Sequence, residues 1–430
     1  MGKQVPAGLP IFFQKNLIFN KNGARFRPDI WLLLPLEFFK TTKNRMAFSD
    51  FIDELRWRGL IHGELMPGTE EHLATGQRTG YIGFDPTAAS MTIGNYVQIM
   101  LLTFFQRAGH RPIFLAGGAT GRVGDPSGKD AERQLKTTEE LDRNLAKFES
   151  QARKFIYFSG GENPALLENN LHFYKNMGVL DFLRDVGKHL TVNYMMAKDS
   201  VKNRLDREGE GLSFTEFSYQ LLQGYDFVQL FRKHGCTLQM GGSDQFGNIT
   251  TGVELTRRMA ESKVFGVVTP LLTKADGSKF GKSEAGNIWL DPEMTTPYQF
   301  YQFWINSDDR DVPKFFRYFS LKTRSQIEAI EASEDIQSQK RTLAEEITRR
   351  VHSDDDFERV LRVSQMIFDA KMDYATLQKM DTKTLEAVAA EINSPETEAE
   401  TLENEGIGIV EAIGEGVTQA AIGDRVEAGL

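Results

Sequence analysis

The sequence predicts an α/β protein, with a parallel-sheet domain followed by an all-helical domain. Two apolar, strand-like runs at residues 79–84 and 112–116 flank a helical stretch at 93–108, and this order of elements predicts a parallel pair of strands. Residues 296–371 instead carry many charges, with apolar residues at helical spacing. A chain of 430 residues is long enough for two or three domains.

Each element is predicted from its local pattern and its boundary residues. Ser49 lies at the start of an amphipathic stretch at 48–62 and should cap that helix. A turn at Asp85-Pro86-Thr87 follows the first strand. Because the carboxyl ends of parallel strands share one edge, ligands are expected there. The remaining predictions are a helix at 214–230 and strands at 238–240 and 267–272.

Composition and pattern divide the chain into successive segments. Residues 1–45 contain eight Lys or Arg and two acidic residues without clear periodicity. We interpret them as a disordered extension or as a start assigned too early, with Met46 as the true beginning, and a targeting or RNA-contacting arm is the alternative. The other predicted segments are the sheet domain at 46–295 with a lysine-containing loop at 274–286, the helical domain at 296–371 and an acidic tail at 372–430.

Composition also excludes several classes of protein. A net charge of −9 and a pI near 5.5 argue against coating of nucleic acid through overall charge. The single cysteine, Cys236, permits neither an intrachain disulfide nor a thiolate metal cluster, and it predicts a reducing, cytoplasmic location. The apolar run at 30–36 is interrupted by Pro35 and is far shorter than the ~20 residues that span a bilayer. The histidines are scattered, so no metal site is predicted.

Two glycine-containing motifs could bind phosphate. Gly94 lies at the predicted start of a helix, where free N–H groups favour an anion. Lys279 and Lys282 flank Gly281 and could stabilise charge that develops in a transition state. Taken alone, the first motif could be a capped helix after a turn, and the second a solvated basic loop.

Two further patterns could recognise an amine or a hydroxyl. Tyr219, Gln223 and Asp226 share one face of the predicted helix at 214–230. Asp125 and Asp244 lie beside glycines in turns that follow apolar strands. An amphipathic helix with its polar face in water, and ordinary turns, remain the alternatives on this evidence.

Taken together and in order, the motifs are much more specific. The series YIGFDPTAASMTIGN, GGATGRVGDPSGKDAER, DVGKHLTVNYMMAKDSV, FTEFSYQLLQGYDF, LQMGGSDQFGNIT and KFGKS resembles bacterial tyrosyl-tRNA synthetase, a class I aminoacyl-tRNA synthetase family, over about residues 46–368. The resemblance implies a Rossmann-like catalytic domain, tyrosine, ATP and tRNA(Tyr) as partners, and a homodimer with residues 185–198 near the subunit contact. It also implies Mg²⁺ bound with ATP rather than by the protein.

The resemblance assigns roles to residues at matching positions. Tyr81 and Asp226 would bind the substrate phenol, and Asp125, Tyr219 and Gln223 its ammonium group, with Thr120 nearby. Gln245 would lie by the tyrosyl carboxylate. The implied ATP-binding positions are Asp85, Gly94, Asn95, Gly242, Asp244 and Lys282. The implied catalytic positions are Thr87, Thr92, Lys129, Arg133, Lys279 and Lys282.

The chain departs from the family pattern at a few positions. Thr92 stands where the family usually has histidine, and we expect slower activation, since losing one such donor typically costs ~10²–10³ in rate. Ile82 replaces a more usual cysteine and Phe246 a more usual tryptophan, with smaller expected effects.

The tail is the larger departure. Residues 384–430 contain eleven acidic residues and one basic residue, where relatives carry a basic RNA-binding module. Such a segment should repel phosphate. We interpret 372–430 as an atypical or truncated module, with helix expected at 407–413. The alternatives for the whole chain are a tryptophan-specific synthetase and a non-catalytic RNA-binding or splicing partner on the same scaffold.

Overall fold

A computed structural model describes the chain at residues 46–127, 136–205, 211–283, 286–368, 381–391, 407–409 and 425–427. The predicted extension at 1–45 lies outside the described residues. So do the candidate phosphate-binding residues Lys129 and Arg133, and of Lys282 only the backbone is described.

The centre of the fold is a parallel five-stranded sheet with the order β3-β2-β1-β4-β5. The predicted parallel sheet is therefore confirmed. Tyr81 in β1 lies opposite Ile113 in β2 and Gln239 in β4. The strands are β1 (Thr79–Phe84), β2 (Arg111–Ala116), β3 (Leu166–Asn169), β4 (Cys236–Gly242) and β5 (Phe265–Thr269).

Helices connect these strands and cover the sheet. Those before and between β1 and β3 are α1 (Asp50–Arg58), α2 (Thr69–Ala74), α3 (Ile93–Arg107) and α4 (Thr138–Ala152). Those between β3 and β5 are α5 (Leu171–Tyr174), α6 (Val179–Asp185), α7 (Val192–Met196), α8 (Asp199–Leu205), α9 (Phe214–His234) and α10 (Phe246–Ala260). Short 3₁₀ turns occupy Thr120–Arg122, Gly187–His189 and Ser243–Gln245.

Local signals explain where several helices begin and end. α3 begins at a capping box in which Thr92 and Asn95 bond each other's backbone N–H groups. α9 ends at Gly235, whose left-handed conformation suits glycine. The predicted cap at Ser49 is wrong: its backbone is helical, and its hydroxyl donates to Asp50 Oδ1 at 2.9 Å and makes no capping bond with a backbone N–H.

Two predicted strands shift in the structure. The strand predicted at 238–240 extends to Cys236–Gly242, and the one predicted at 267–272 lies at Phe265–Thr269. Pairing decides these boundaries: β4 begins where Cys236 pairs with Thr79 of β1, and β4 and β5 pair from Leu238↔Phe265 to Gly242↔Thr269. Residues 270–272 are apolar or turn-forming but have no strand partner there.

The region after the sheet is helical, as predicted. Buried Trp304 and Phe319 from this region belong to the same hydrophobic cluster as Phe105 and Met240 from the sheet side. One core therefore continues across residue 295, and the domain boundary there stays a prediction. A 3₁₀ turn lies at Asp309–Asp311, and the helices are α11 (Pro297–Ile305), α12 (Val312–Phe319), α13 (Arg324–Glu331), α14 (Ile336–Val351) and α15 (Asp354–Phe368).

Parts of the acidic tail have regular structure. Helix α16 (Thr382–Glu391) is followed by strand Ile407–Ile409, which pairs antiparallel with Arg425–Glu427. The expectation of helix at 407–413 is therefore wrong for residues 407–409, where two β-branched side chains alternate with a glycine. Across the described residues, every helix is too short or too polar to cross a membrane.

Candidate active site

Polar side chains gather at the carboxyl edge of the sheet. Asp85 follows β1, Thr120 follows β2 and Asp244 follows β4. β1 and β4 are hydrogen-bonded neighbours, although the chain passes through β2 and β3 between them. The strand order therefore reverses at this point, which is where open parallel sheets bind ligands.

Asp226, on α9, is a fully buried carboxylate, 1% exposed. Its Oδ2 accepts a hydrogen bond from Asn170 Nδ2 at 2.9 Å, and its Oδ1 accepts one from the Tyr174 hydroxyl at 2.8 Å. Burial raises the pKa of Asp226 to about 7, although both hydrogen bonds favour the charged form. The carboxylate can thus accept a further donor from a ligand.

Tyr81 lies in β1, near enough to Asp226 for the carboxylate charge to affect its hydroxyl. Burial, and then the Asp226 charge, raise the pKa of Tyr81 well above its usual value. Its hydroxyl oxygen is buried without a hydrogen-bond partner among the described residues, which is an unfavourable state for a polar group. The structure thus brings together the two residues predicted to bind a phenol.

A second group of side chains surrounds Asp85. The Tyr219 hydroxyl donates to Asp85 Oδ2 at 2.8 Å and the Thr120 hydroxyl to Oδ1 at 2.6 Å. Asn170 Nδ2 also donates to Thr120 Oγ1 at 3.0 Å. Hydrogen bonds therefore run without a break from Tyr219 to Asp226.

Several carboxylates surround the Tyr219 hydroxyl. Burial raises the pKa of Tyr219 well above its usual value, and the charges of Asp85, Asp125 and Asp226 raise it further. Three carboxylates around one hydroxyl would favour a cation such as an ammonium group. Gln223 lies one helical turn after Tyr219 on α9.

Asp125 has its own partners. Gln245 Nε2 donates to Asp125 Oδ2 at 2.6 Å, and the backbone N–H of Ser127 donates to Oδ1 at 2.9 Å. In the structure, then, Tyr219 and Thr120 bond Asp85, whereas Asp125 bonds Gln245. The predicted ammonium-binding and adenylate-binding residues form one connected region.

The predicted nucleotide end lies at the start of α3. Besides bonding the Asn95 N–H, the Thr92 hydroxyl donates to Asn95 Oδ1 at 2.9 Å. Thr87 lies in the turn after β1, where its N–H donates to Asp85 O at 2.8 Å. A Cβ on Gly242 would lie 2.5 Å from Asp244 Oδ1, so a larger residue there would displace the Asp244 carboxylate.

The lysine loop closes onto the same region. Gly281 has a φ of 84°, and a Cβ there would lie 2.7 Å from Ile93 Cγ2 at the start of α3. Burial raises the pKa of Asp244, and the positive charge of exposed Lys279 opposes this rise, so the lysine lies near the site. The loop continues into short strands β6 (Lys282–Ser283) and β7 (Gly286–Asn287).

Comparison with known proteins assigns the family. The family model described as tRNA synthetases class I (W and Y) matches residues 74–369. A tyrosine–tRNA ligase of Cytophaga hutchinsonii is 55% identical over 343 residues, covering 79% of each chain. The chain belongs to the class I tRNA synthetases of this group.

Other relatives of this synthetase family agree. A tyrosine–tRNA ligase of Porphyromonas gingivalis is 50% identical over 370 residues, covering 85% of each chain. The crystal structure of a C-terminally truncated mitochondrial tyrosyl-tRNA synthetase from Aspergillus nidulans matches with a TM-score of 0.65 and 31% identity. That match covers 74% of this chain and 94% of the other, and it supports the α/β synthetase fold.

Sequence reasoning missed several residues of this synthetase site. Asn170 and Tyr174, the partners of Asp226, follow the short strand β3, which was not predicted. Three polar residues directly after an apolar run, ENN at 168–170, were the available signal. Phe280, 5% exposed, anchors the lysine loop against Phe315 and Phe319. Among the described residues, no three His, Cys, Asp or Glu side chains are placed to bind one metal ion.

Proposed function

We propose that this chain is a tyrosine–tRNA ligase, which joins tyrosine to the 3′ end of tRNA(Tyr) through tyrosyl adenylate. The observation that carries the proposal is the buried pair of Asp226 and Tyr81. The phenol hydroxyl of a bound tyrosine can donate to the Asp226 carboxylate and accept from the Tyr81 hydroxyl. The N–H of an indole could only donate, and a phenyl ring could do neither.

The ammonium group of tyrosine would lie beside Asp85, Asp125 and Tyr219. The carboxylates supply the negative charge. The Tyr219 hydroxyl donates to Asp85, and its oxygen can accept a hydrogen bond from the ammonium group. Gln223 and Thr120 border this position on α9 and after β2. Binding at both ends of the amino acid would orient its carboxylate toward the nucleotide.

Activation forms one bond and breaks another. A carboxylate oxygen of tyrosine attacks the α-phosphorus of ATP, and the bond from that phosphorus to the bridging oxygen breaks, releasing pyrophosphate. No general base is needed, because the carboxylate is already ionised, so alignment and charge stabilisation supply the catalysis. Lys279 approaches Asp244 in the free protein and would move to the phosphates together with Thr87, Lys129, Arg133 and Lys282.

The nucleotide itself would lie along the start of α3. Gly94 and Asn95 would face it, with Asp85, Gly242 and Asp244 toward the ribose. Mg²⁺ would be bound by ATP phosphate oxygens, the hard ligands it prefers. In the second step a ribose hydroxyl of tRNA attacks the tyrosyl carbonyl carbon, and AMP leaves.

We expect slow activation of tyrosine because Thr92 stands where the family usually has histidine. Its hydroxyl donates to Asn95 Oδ1 inside the capping box, so it must leave that bond to reach a phosphate. Replacing Thr92 with histidine should therefore raise the rate of activation, whereas Thr92→Ala should lower it only slightly. An unchanged rate in Thr92→His would contradict this role.

Amino-acid-dependent ATP–pyrophosphate exchange tests the function. We expect exchange with tyrosine, and not with tryptophan or phenylalanine. Exchange with tryptophan instead would indicate the tryptophan-specific alternative. A folded protein without exchange would indicate the RNA-binding alternative. Tyr81→Phe is the informative variant, because it removes one hydroxyl and should weaken tyrosine binding selectively.

We also propose that the chain forms a homodimer through α6 and α7. These helices expose a set of apolar side chains near the predicted contact at 185–198, namely Val179, Leu180, Leu183, Val192 and Met196. Exposed apolar patches of this kind are typical of protein interfaces. Light scattering should give a dimer mass for the wild type and a monomer mass for Leu180→Asp. A monomeric wild type would overturn this proposal.

The acidic tail should limit binding of tRNA, and the chain should work in the cytoplasm. Charging of tRNA(Tyr) is best measured on the full chain and on a chain that ends near Phe368. If the tail repels phosphate, the shorter chain charges as fast or faster, with less dependence on salt. A slower truncated chain would show that the tail contributes to tRNA binding.

A further inference from the structure

One face of α4 contacts the parts of the fold that border the nucleotide end. Lys147 and Gln151 lie one helical turn apart on this face. Gln151 Oε1 accepts from the Met91 N–H at 2.9 Å, and its Nε2 donates to Ser90 Oγ at 2.9 Å. Gln151 and Ser90 are 7% and 1% exposed, so these bonds are shielded from water.

Ser90 extends this network to the chain after the lysine loop. Its hydroxyl donates to Met91 O at 2.8 Å and accepts from the Asp291 N–H at 3.1 Å. Lys147 also contacts the Asp291 carboxylate at 3.2 Å. The residues just before α3 and those after the lysine loop are therefore joined through Ser90 and Gln151.

The segment 288–291 lies between the lysine loop and the start of α3. Ile288 accepts from the Ile93 N–H at 2.9 Å and donates its own N–H to Gly281 O at 3.0 Å. Leu290 donates to Met91 O at 2.9 Å. A shift of this segment would move Gly281 and the start of α3 relative to each other.

We propose that Gln151 is a positioning residue for tyrosine activation. It binds Met91 and Ser90 and thereby fixes segment 288–291, so that the lysine loop meets the nucleotide end in the correct register. It touches no substrate. The inference rests on the proposed function, because it concerns the activation step of that reaction.

The chain offers a matched control for a purely structural role. Gln106, 2% exposed, lies at the other end of α3. Its Nε2 donates to Tyr157 O at 2.9 Å and its Oε1 accepts from the Tyr157 N–H at 3.1 Å. It is thus a buried amide with a similar set of bonds that does not touch segment 288–291.

The experiment compares Gln151→Met with Gln106→Met in the full chain. Methionine keeps the volume and removes the hydrogen bonds of the amide, including one from Gln106 Nε2 to Asn163 O at 3.2 Å. For Gln151→Met we expect kcat of tyrosine-dependent exchange to fall by about 10- to 100-fold, with the Kd for tyrosine unchanged within about twofold. For Gln106→Met we expect a similar fall in Tm, and unchanged kcat and Kd.

Hydrogen exchange provides a readout that does not depend on activity. In Gln151→Met, without substrates, the amides of Ile93 and Leu290 should exchange faster than in the wild type, and in Gln106→Met they should not. Gln151→Glu keeps the acceptor for the Met91 N–H and loses only the donor to Ser90 Oγ, so it should recover part of the lost kcat. If Gln151→Met does not fold, the kcat of Gln151→Glu relative to the wild type tests the inference instead.

Several results would overturn the inference. They are a kcat of Gln151→Met within about twofold of the wild type, an equal loss in Gln106→Met, or a parallel loss of tyrosine binding. A wild type without tyrosine-dependent exchange would overturn the proposed function, and this inference with it. An active wild type with an unaffected Gln151→Met would overturn this inference alone.

Discussion

Replacing Tyr174 with phenylalanine should change the pH at which the site recognises tyrosine. The Tyr174 hydroxyl donates to Asp226 Oδ1, and the Tyr174 ring packs against Tyr225 with 5.8 Å between centroids. Phenylalanine preserves the ring and removes only the donor. The ionised form of Asp226 then loses one of its two hydrogen bonds, so the pKa of Asp226 rises.

The size of the effect follows from the geometry. The Tyr174 hydroxyl has one proton but two acceptors at 2.8 Å, Asp226 Oδ1 and Leu222 O. We therefore take the low end of the value for a hydrogen bond to a charged group, about 1.5 kcal/mol, which corresponds to a rise of about 1 pKa unit. Asp226 has a pKa of about 7, so its ionised fraction near pH 7 should fall from about a half to about a tenth.

The assay is the pH profile of kcat/KM for tyrosine in pyrophosphate exchange. The substrate phenol needs an ionised acceptor, so kcat/KM should rise with pH through about 7 in the wild type and about one unit higher in Tyr174→Phe. The variant should therefore be about fivefold slower near pH 7 and should approach the wild type near pH 9.

The control is Tyr225→Phe, which removes a hydroxyl from the same aromatic cluster. Among the described residues, the hydrogen-bond donors to the Asp226 carboxylate are Asn170 and Tyr174 and not Tyr225, so the profile of Tyr225→Phe should match the wild type. If Tyr174→Phe has the wild-type profile, or loses activity equally at every pH, the hydrogen bond does not tune Asp226 and the reasoning fails.

Three further changes have definite expected outcomes. Asp226→Asn should abolish the preference for tyrosine over phenylalanine, which in tyrosyl-tRNA synthetases, the known case of this effect, is ~10⁵. Because the folded pKa of Asp226 is raised to about 7, ionisation costs stability as pH rises from the unfolded-state value of about 4 to the folded value. The Tm of Asp226→Asn relative to the wild type should thus increase between about pH 4 and pH 7 and level off above it, and a constant difference would contradict the burial argument. Gly281→Ala should slow exchange by about tenfold without weakening tyrosine binding, since its Cβ would meet Ile93; equal kcat would refute the close approach. Glu261 has a φ of 50° at the end of α10, so Glu261→Gly should raise the free energy of unfolding by about 0.5–1 kcal/mol in urea denaturation, and a loss of stability would refute the strain.

The main elements could be predicted because their signals are local. The first strand was predicted at 79–84 and lies at Thr79–Phe84; glycines and polar residues bound its apolar run. The helix predicted at 93–108 lies at Ile93–Arg107, where a cap at Thr92 precedes a mostly apolar segment without proline. These patterns require only neighbours in sequence.

Elements that depend on distant partners were less predictable. β3 is four residues long and becomes a strand by pairing with β2 from Ile113 to Ala116. Ser49 has the residue type of a cap, yet its backbone is helical in the structure. In both cases contacts made elsewhere in the fold decide between conformations of similar local preference.

In the candidate site, too, some features follow from sequence motifs and others only from contacts between distant residues. From the order of its motifs, the sequence alone indicated the synthetase family and the pairing of Tyr81 with Asp226. Only the tertiary structure showed that Asn170 bonds both Thr120 and Asp226, and that Gln151 joins the start of α3 to the chain after the lysine loop. A hydrogen bond between residues fifty or more positions apart depends on the path of the whole chain, which no local periodicity encodes.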